Sequence, residues 1–194
     1  NNHTQISTKG IQVTATNEAV TSAGRNNEMA YQVAKAAKEL KRDMETALLS
    51  NVAKTAGNAT TARKLGGCPT WYETNVDAGA GGSGAGNGAI RTDGTQRAFT
   101  EDQLKGILVS CYNEGGNPNM IMVNAFNKQK LSGFTGGSTR FDAAEDRRLI
   151  TSIDVYESDF GTMQVSPNRF IRGANSTAAK IGQDAHILDM EYWA

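Results

Sequence analysis

The sequence predicts an α+β protein, and three observations predict it: a long one-sided helical pattern over residues 25–51, a helix–strand–helix order over 100–133, and a hairpin pattern centred on 157–161. No internal repeat of fixed period interrupts this order. At 194 residues the chain is long enough to bury a substantial core, as one large domain or two small ones.

Taken in order, Ile6, Ile11 and Val13 alternate with polar residues and predict an extended or β segment over 5–15. The run RNNEMAYQVAKAAKELKRDMETALLSN follows. Asn26 or Asn27 can cap it, Glu28 suits its first turn, and Met29, Val33, Ala36, Leu40, Met44, Ala47 and Leu48 recur at steps of three and four. Such a stripe predicts a packed helical face, lying across a sheet or a neighbouring chain, and Lys41 with Glu45 and Glu39 with Arg42 are spaced as surface pairs along it.

Residues 52–77 are loosely patterned, with Trp71 and Tyr72 expected to anchor a long excursion locally. DAGAGGSGAGNGAIRTDGT then places six glycines in residues 79–88. Within it GAGGSG satisfies the spacing of a dinucleotide-binding loop, but that chemistry needs a strand before the glycines and a helix immediately after them, so that amides and helix dipole meet the phosphate. The next helix start is Thr100, so the stretch is expected to be a mobile surface loop.

Thr100 with Gln103 has capping-box spacing, and Leu104, Ile107, Leu108 and Cys111 form one helical face ending at Gly115 and Gly116. MIMV, 120–123, is a buried-strand candidate; NAFNKQKLSGF predicts a short helix ending near Gly133. Residues 150–156 and 163–165 predict hairpin strands around 157–161, and AHILDMEYW a last strand with Ile187, Met190 and Tyr192 as its apolar positions.

The chemistry-bearing residues form no constellation. Lys and Arg number 20 against 20 Asp and Glu, which argues against an extended basic face for nucleic acid or membrane. No apolar run approaches the roughly 20 residues of a membrane span. Cys68 and Cys111 have no metal spacing and are expected as two reduced thiols. His186 with Asp184 and Asp189 could hold a metal weakly, though a polar edge strand explains them better. DFG, residues 159–161, is accounted for by turn chemistry, and Ser110 sits inside a helix rather than at a nucleophile elbow. No catalytic, cofactor-binding or metal residue is therefore nominated, no cofactor is expected, and an enzyme is not expected.

Four segments, EAVTSAGRNNEMAYQVAKAAKELKRDMETALLSN, YNEGGNPNMIMVNAFNKQKLSGF, DVYESDFGTMQVSPNRFI and ILDMEYWA, resemble the major capsid proteins of one group of tailed bacteriophages. The resemblance implies the Hong Kong 97-type capsid fold, with a long spine helix in a peripheral domain and a mixed axial domain. On this chain it implies a peripheral part over 1–61, containing a strand from the extended loop and the spine helix 26–51. An axial domain over 62–175 and a strand over 176–194 returning to the peripheral domain would complete it, with the N-terminal arm and most of the extended loop outside the sequence.

The implied function is a structural subunit of an icosahedral head, self-assembling into hexamers and pentamers around double-stranded DNA. Implied partners are further copies, scaffolding, portal or decoration proteins, and packaged DNA by non-specific contact, with no membrane. The implied location is the virion capsid, after assembly in the host cytoplasm. Lys35, Lys38, Glu39, Lys41, Arg42, Asp43 and Glu45 are the candidate subunit-interface residues, with a solvated face as the other reading. Lys54, Arg63 and Lys64 are a candidate basic cluster toward DNA. The alternative function is a carbohydrate- or partner-binding module using Trp71, Tyr72, Trp193 and the Asn-rich loops.

Overall fold

The computed structural model describes residues 1–20, 24, 27–134, 154–171 and 184–192. Its elements are α1 (Ala15–Ala19), α2 (Glu28–Leu49), a 3-10 turn (Cys68–Thr70), α3 (Glu101–Asn113), β1 (Met120–Val123), α4 (Ala125–Ser132), β2 (Val155–Ser158), β3 (Gly161–Pro167) and β4 (Ala185–Leu188). This is a mixed α+β architecture, as the sequence predicts.

The helices start where side chains satisfy their first free amides. Asn27, not Asn26, caps α2: its Oδ1 accepts from the Ala30 amide at 2.6 Å. The helix runs for 22 residues, about 33 Å at the usual rise. Thr100 and Gln103 form both halves of the capping box on α3, and Asn124 caps α4 through the Asn127 amide at 2.7 Å.

The strands form one four-stranded mixed sheet in the order β2-β3-β1-β4. β1 runs parallel to β3 and antiparallel to β4, so Ile121 lies beside Val165 on one side and Ile187 on the other. The two-residue alternation of side chains then puts Ile121, Val123, Met163 and Val165 on one face. Leu104 and Leu108 from α3 and Leu131 from α4 complete that buried cluster, with Phe99, Phe134, Tyr156, Ala185 and Ile187 packed around it. Each fully buried Leu, Ile, Val or Met of that cluster contributes about 1.5–3 kcal/mol by leaving water.

Four expectations need correction here. The hairpin is tighter than predicted: pairing continues from Ser158 to Gly161, leaving only Asp159 and Phe160 in the turn. Ser158 Oγ bonds both the Phe160 amide and the Gly161 carbonyl, and Gly161 takes φ +133°, so the turn closes earlier than glycine and aspartate spacing suggests. The predicted strand residues 150–153 lie outside the described residues.

The N-terminal segment has no strand partner among the described residues, and the chain turns into α1 after Thr14, whose Oγ1 accepts from the Asn17 amide. The segment is instead pinned by side chains. Asn2 both donates to and accepts from the Gly66 backbone, Gln5 Oε1 accepts from the Leu65 amide, and Lys9 pairs with Glu39.

In β4 the fully buried positions are His186 and Leu188 rather than the predicted apolar series. Ile187 packs on the core's margin, while Met190 and Tyr192 lie beyond the strand, 40% and 81% exposed.

The glycine-rich stretch is folded against its surroundings rather than loose. Ser83 and Thr92 exchange both backbone hydrogen bonds, Thr95 donates to Ala80, and Gly88 donates to Thr70. A Cβ on Gly84 would sit 2.4 Å from the Tyr72 carbonyl oxygen, so close backbone approach demands glycine there. No helix follows until Glu101, which removes the helix-dipole half of a phosphate site.

Candidate subunit interface

The residues on α2 do not bury the stripe their spacing predicts. Only Ala36 and Leu49 are buried on this helix, while Val33 and Met44 are each 50% exposed and Met29 and Leu48 nearly as open. The reason is positional: the sheet is covered on its core face by α3 and α4, and α2 meets α1 and the 3-10 turn instead. Its own chain reaches it through polar tethers. Met29 N donates to Glu18 Oε2, and Asn168 Nδ2 donates to Glu45 Oε1 at 2.8 Å.

Those tethers divide the seven candidate interface residues. Glu39 is engaged by Lys9, which holds its carboxyl below the usual range, and Glu45 accepts from Asn168. The expected helix-surface pairs Lys41–Glu45 and Glu39–Arg42 are therefore replaced by contacts to residues distant in sequence. Lys35, Lys38, Lys41, Arg42 and Asp43 are exposed, four cations and one carboxylate spread around the helix. Val33, Ala37, Met44 and Leu48 fall within about 60° around the axis, with Lys41 just beyond, by the 3.6-residue repeat. An apolar band with a cationic border is what this helix offers a partner.

The other candidates are not gathered in this way. Lys54 lies 4.8 Å above the Trp71 ring and donates to the Asn1 carbonyl, whereas Arg63 and Lys64 are exposed. Trp71 also donates from Nε1 to the Gly66 carbonyl and Tyr72 turns inward, so these two rings serve internal packing rather than an open aromatic platform. Trp193 lies outside the described residues.

Tyr72 belongs to a buried polar cluster that ties the 51–98 excursion to β4. Its hydroxyl lies 2.7 Å from Cys68 Sγ and 3.3 Å from His186 Nδ1. Arg91 Nη2 donates to Asp184 Oδ2 at 2.6 Å and also pairs with Asp93, while the Arg91 backbone exchanges two hydrogen bonds with the Asn51 amide.

Burial sets the charges of this cluster. It lowers His186 to about 4, with the Arg91 charge adding to the effect, and raises the Cys68 thiol to about 11. Burial also raises Asp184 to about 6, against the opposing pull of Arg91.

A cleft of about 290 Å³ adjoins the cluster, lined among others by Tyr72, Arg91, Asp184 and His186. The metal reading fails on geometry: Asp184 is committed to Arg91, and Asp189 accepts from the Asn117 and Glu191 amides. Among the described residues no three His, Cys, Asp or Glu side chains converge as ligands. Cys68 and Cys111 are both free thiols. Ser110 Oγ donates to the Gly106 carbonyl within α3.

Sequence reasoning missed Tyr112 and Phe160 as surface residues. They pack with ring centroids 4.9 Å apart and planes tilted by 39° while remaining 60% and 38% exposed. Tyr112 lies just past the predicted α3 face and Phe160 was absorbed into a turn motif; no local pattern could have shown that the fold sets them side by side.

Compared with protein families, residues 1–194 match the model described as SU10 major capsid protein. No curated protein matches the chain.

Proposed function

The chain belongs to the SU10 major capsid protein family, and from that membership we propose that it is a shell subunit assembling into the hexamers and pentamers of an icosahedral head around double-stranded DNA. Membership itself makes it a phage major capsid protein: a structural component of the virion capsid that associates with its own kind. A capsid subunit needs complementary surfaces, not an active site; many modest contacts are made durable by closed symmetry.

The observation that carries the finer reading is α2. A 22-residue helix exposing Val33, Met44 and Leu48 about half-way is better suited to burial against another copy than to life in water. In this proposal the chain has the Hong Kong 97-type fold, α2 is its spine helix, residues 1–61 form the peripheral part, 62–175 the axial domain and 176–194 the returning segment. Within this division β4 of the returning segment pairs with β1 of the axial part. Lys35, Lys38, Lys41, Arg42 and Asp43 are proposed interface charges, with Glu39 and Glu45 shaping the helix from inside the subunit. Scaffolding, portal or decoration proteins, and assembly in the host cytoplasm, complete the proposal.

Light scattering with negative-stain electron microscopy on the purified chain tests it. Rings, tubes or shells appearing as concentration rises are expected, and Val33→Glu with Met44→Glu should abolish them while helical circular dichroism is retained. A chain that stays monomeric throughout overturns the assembly reading.

A further inference from the structure

A closed shell needs more than one contact surface per subunit. A single self-complementary patch stops at a dimer, whereas a head-to-tail contact between two different patches can continue around a ring. The apolar band of α2 therefore requires a counterpart elsewhere on the same chain.

Tyr112, near the C-terminal end of α3, and Phe160, in the β2–β3 turn, form an aromatic pair held by a helix and a hairpin turn. Both rings are substantially exposed, which is unusual for paired aromatics with a core nearby and is the composition enriched at protein interfaces. The pair is bordered by carboxylates. Asp159 directly precedes Phe160, and Glu114 follows Tyr112 by two residues; both are exposed. Glu114 Oε2 accepts from Thr74 and Asn75, which positions its charge, and Lys105, farther back on α3, is paired with Glu101.

The α2 band has the opposite border. Val33, Met44 and Leu48 are flanked by Lys41 and, farther round, Lys38, while the Glu39 carboxylate is paired with Lys9 and that of Glu45 is held by the Asn168 amide. The two patches are thus matched in both respects: Met44 offers a thioether to aromatic rings, and lysines face carboxylates.

We infer that α2 of one copy docks on the Tyr112–Phe160 pair of a second copy, head to tail, with Lys38 and Lys41 set against Glu114 and Asp159. The inference rests on the assembly reading above and specifies the contact. It also gives a chain with 20 cations and 20 anions a use for their uneven placement: the subunit is neutral overall but polar from patch to patch.

Two variants with one surface damaged in each test it. Lys41→Glu with Met44→Glu damages the α2 band; Tyr112→Ala with Phe160→Ala removes the aromatic pair. All four side chains are exposed, so circular dichroism should match the parent. In sedimentation velocity the parent chain is expected to associate as concentration rises, and each variant alone to associate at least tenfold more weakly. An equimolar mixture should form a one-to-one dimer, because each variant keeps the surface the other has lost.

A charge exchange provides a second readout. Lys41→Glu and Asp159→Lys should each weaken association when placed alone, and combining them in one chain should restore it. If the parent associates but neither the mixture nor the exchange recovers it, this contact is wrong and the assembly reading stands. A parent that remains monomeric overturns both.

Discussion

Burying His186 in the edge strand β4 and Asp184 just before it sets two proton equilibria against each other. His186 falls from 6.5 to about 4, so the folded state binds fewer protons than the unfolded chain in that interval. Its stability contribution is intact above pH 6.5 and lost as pH falls toward 4. Asp184 rises from 3.8 to about 6, so its contribution is present below pH 3.8 and lost as pH rises through 6.

The opposed slopes predict a flat stability profile from this pair between about pH 4 and 6. Asp184→Asn should leave the histidine slope exposed, so that urea midpoints fall on acidification through this range relative to the parent. His186→Gln should tilt them the other way, and parallel profiles for all three proteins would contradict the account. The same scale governs Gly84. A methyl there meets the Tyr72 carbonyl at 2.4 Å, and Gly84→Ala should cost about 1–3 kcal/mol of unfolding free energy as the loop is forced apart.

At the scale of elements, α3 is the best-specified helix because its start and its buried face agree. Thr100→Ala removes the hydroxyl that accepts from the Gln103 amide and should cost about 1 kcal/mol. Leu108→Ala opens a cavity between α3 and the sheet and should cost about 2–5 kcal/mol, both read from denaturant midpoints. The second helix should behave differently. Met44→Glu changes a side chain that the subunit does not bury, so its unfolding free energy should stay within about 0.5 kcal/mol of the parent while association falls. A large loss of stability would mean that the stripe is covered within the subunit.

For the molecule as a whole, Arg91 joins what the chain order separates. It binds Asn51 through its backbone and Asp93 and Asp184 through its guanidinium, and so fastens the long excursion to the sheet edge. Arg91→Ala leaves Asp184 buried without its cation and should cost about 3–5 kcal/mol. Amide exchange should then accelerate together at Lys54, Gly88 and β4, whereas acceleration confined to β4 would show that the excursion stands on its own contacts.

Elements with local signals were legible along the chain: the Asn and Thr caps, the α3 face, the buried strand at 120–123 and the hairpin's existence. The sequence also carried the family resemblance in long segments, because those record an entire fold rather than one site. What each face meets was set by the packing of elements distant along the chain. The three-four spacing of α2 is the same whether its stripe packs inside the subunit or outside it, and placing α3 and α4 on the core face of the sheet left Val33, Met44 and Leu48 in the open. Closeness between Tyr72 and His186, or between Tyr112 and Phe160, likewise has no sequence signature, since it arises from chain crossings over tens of residues. Glycine content signalled conformational freedom, but the fold spent that freedom on close backbone packing, a choice made by the neighbours of Gly84 and not by the glycine itself.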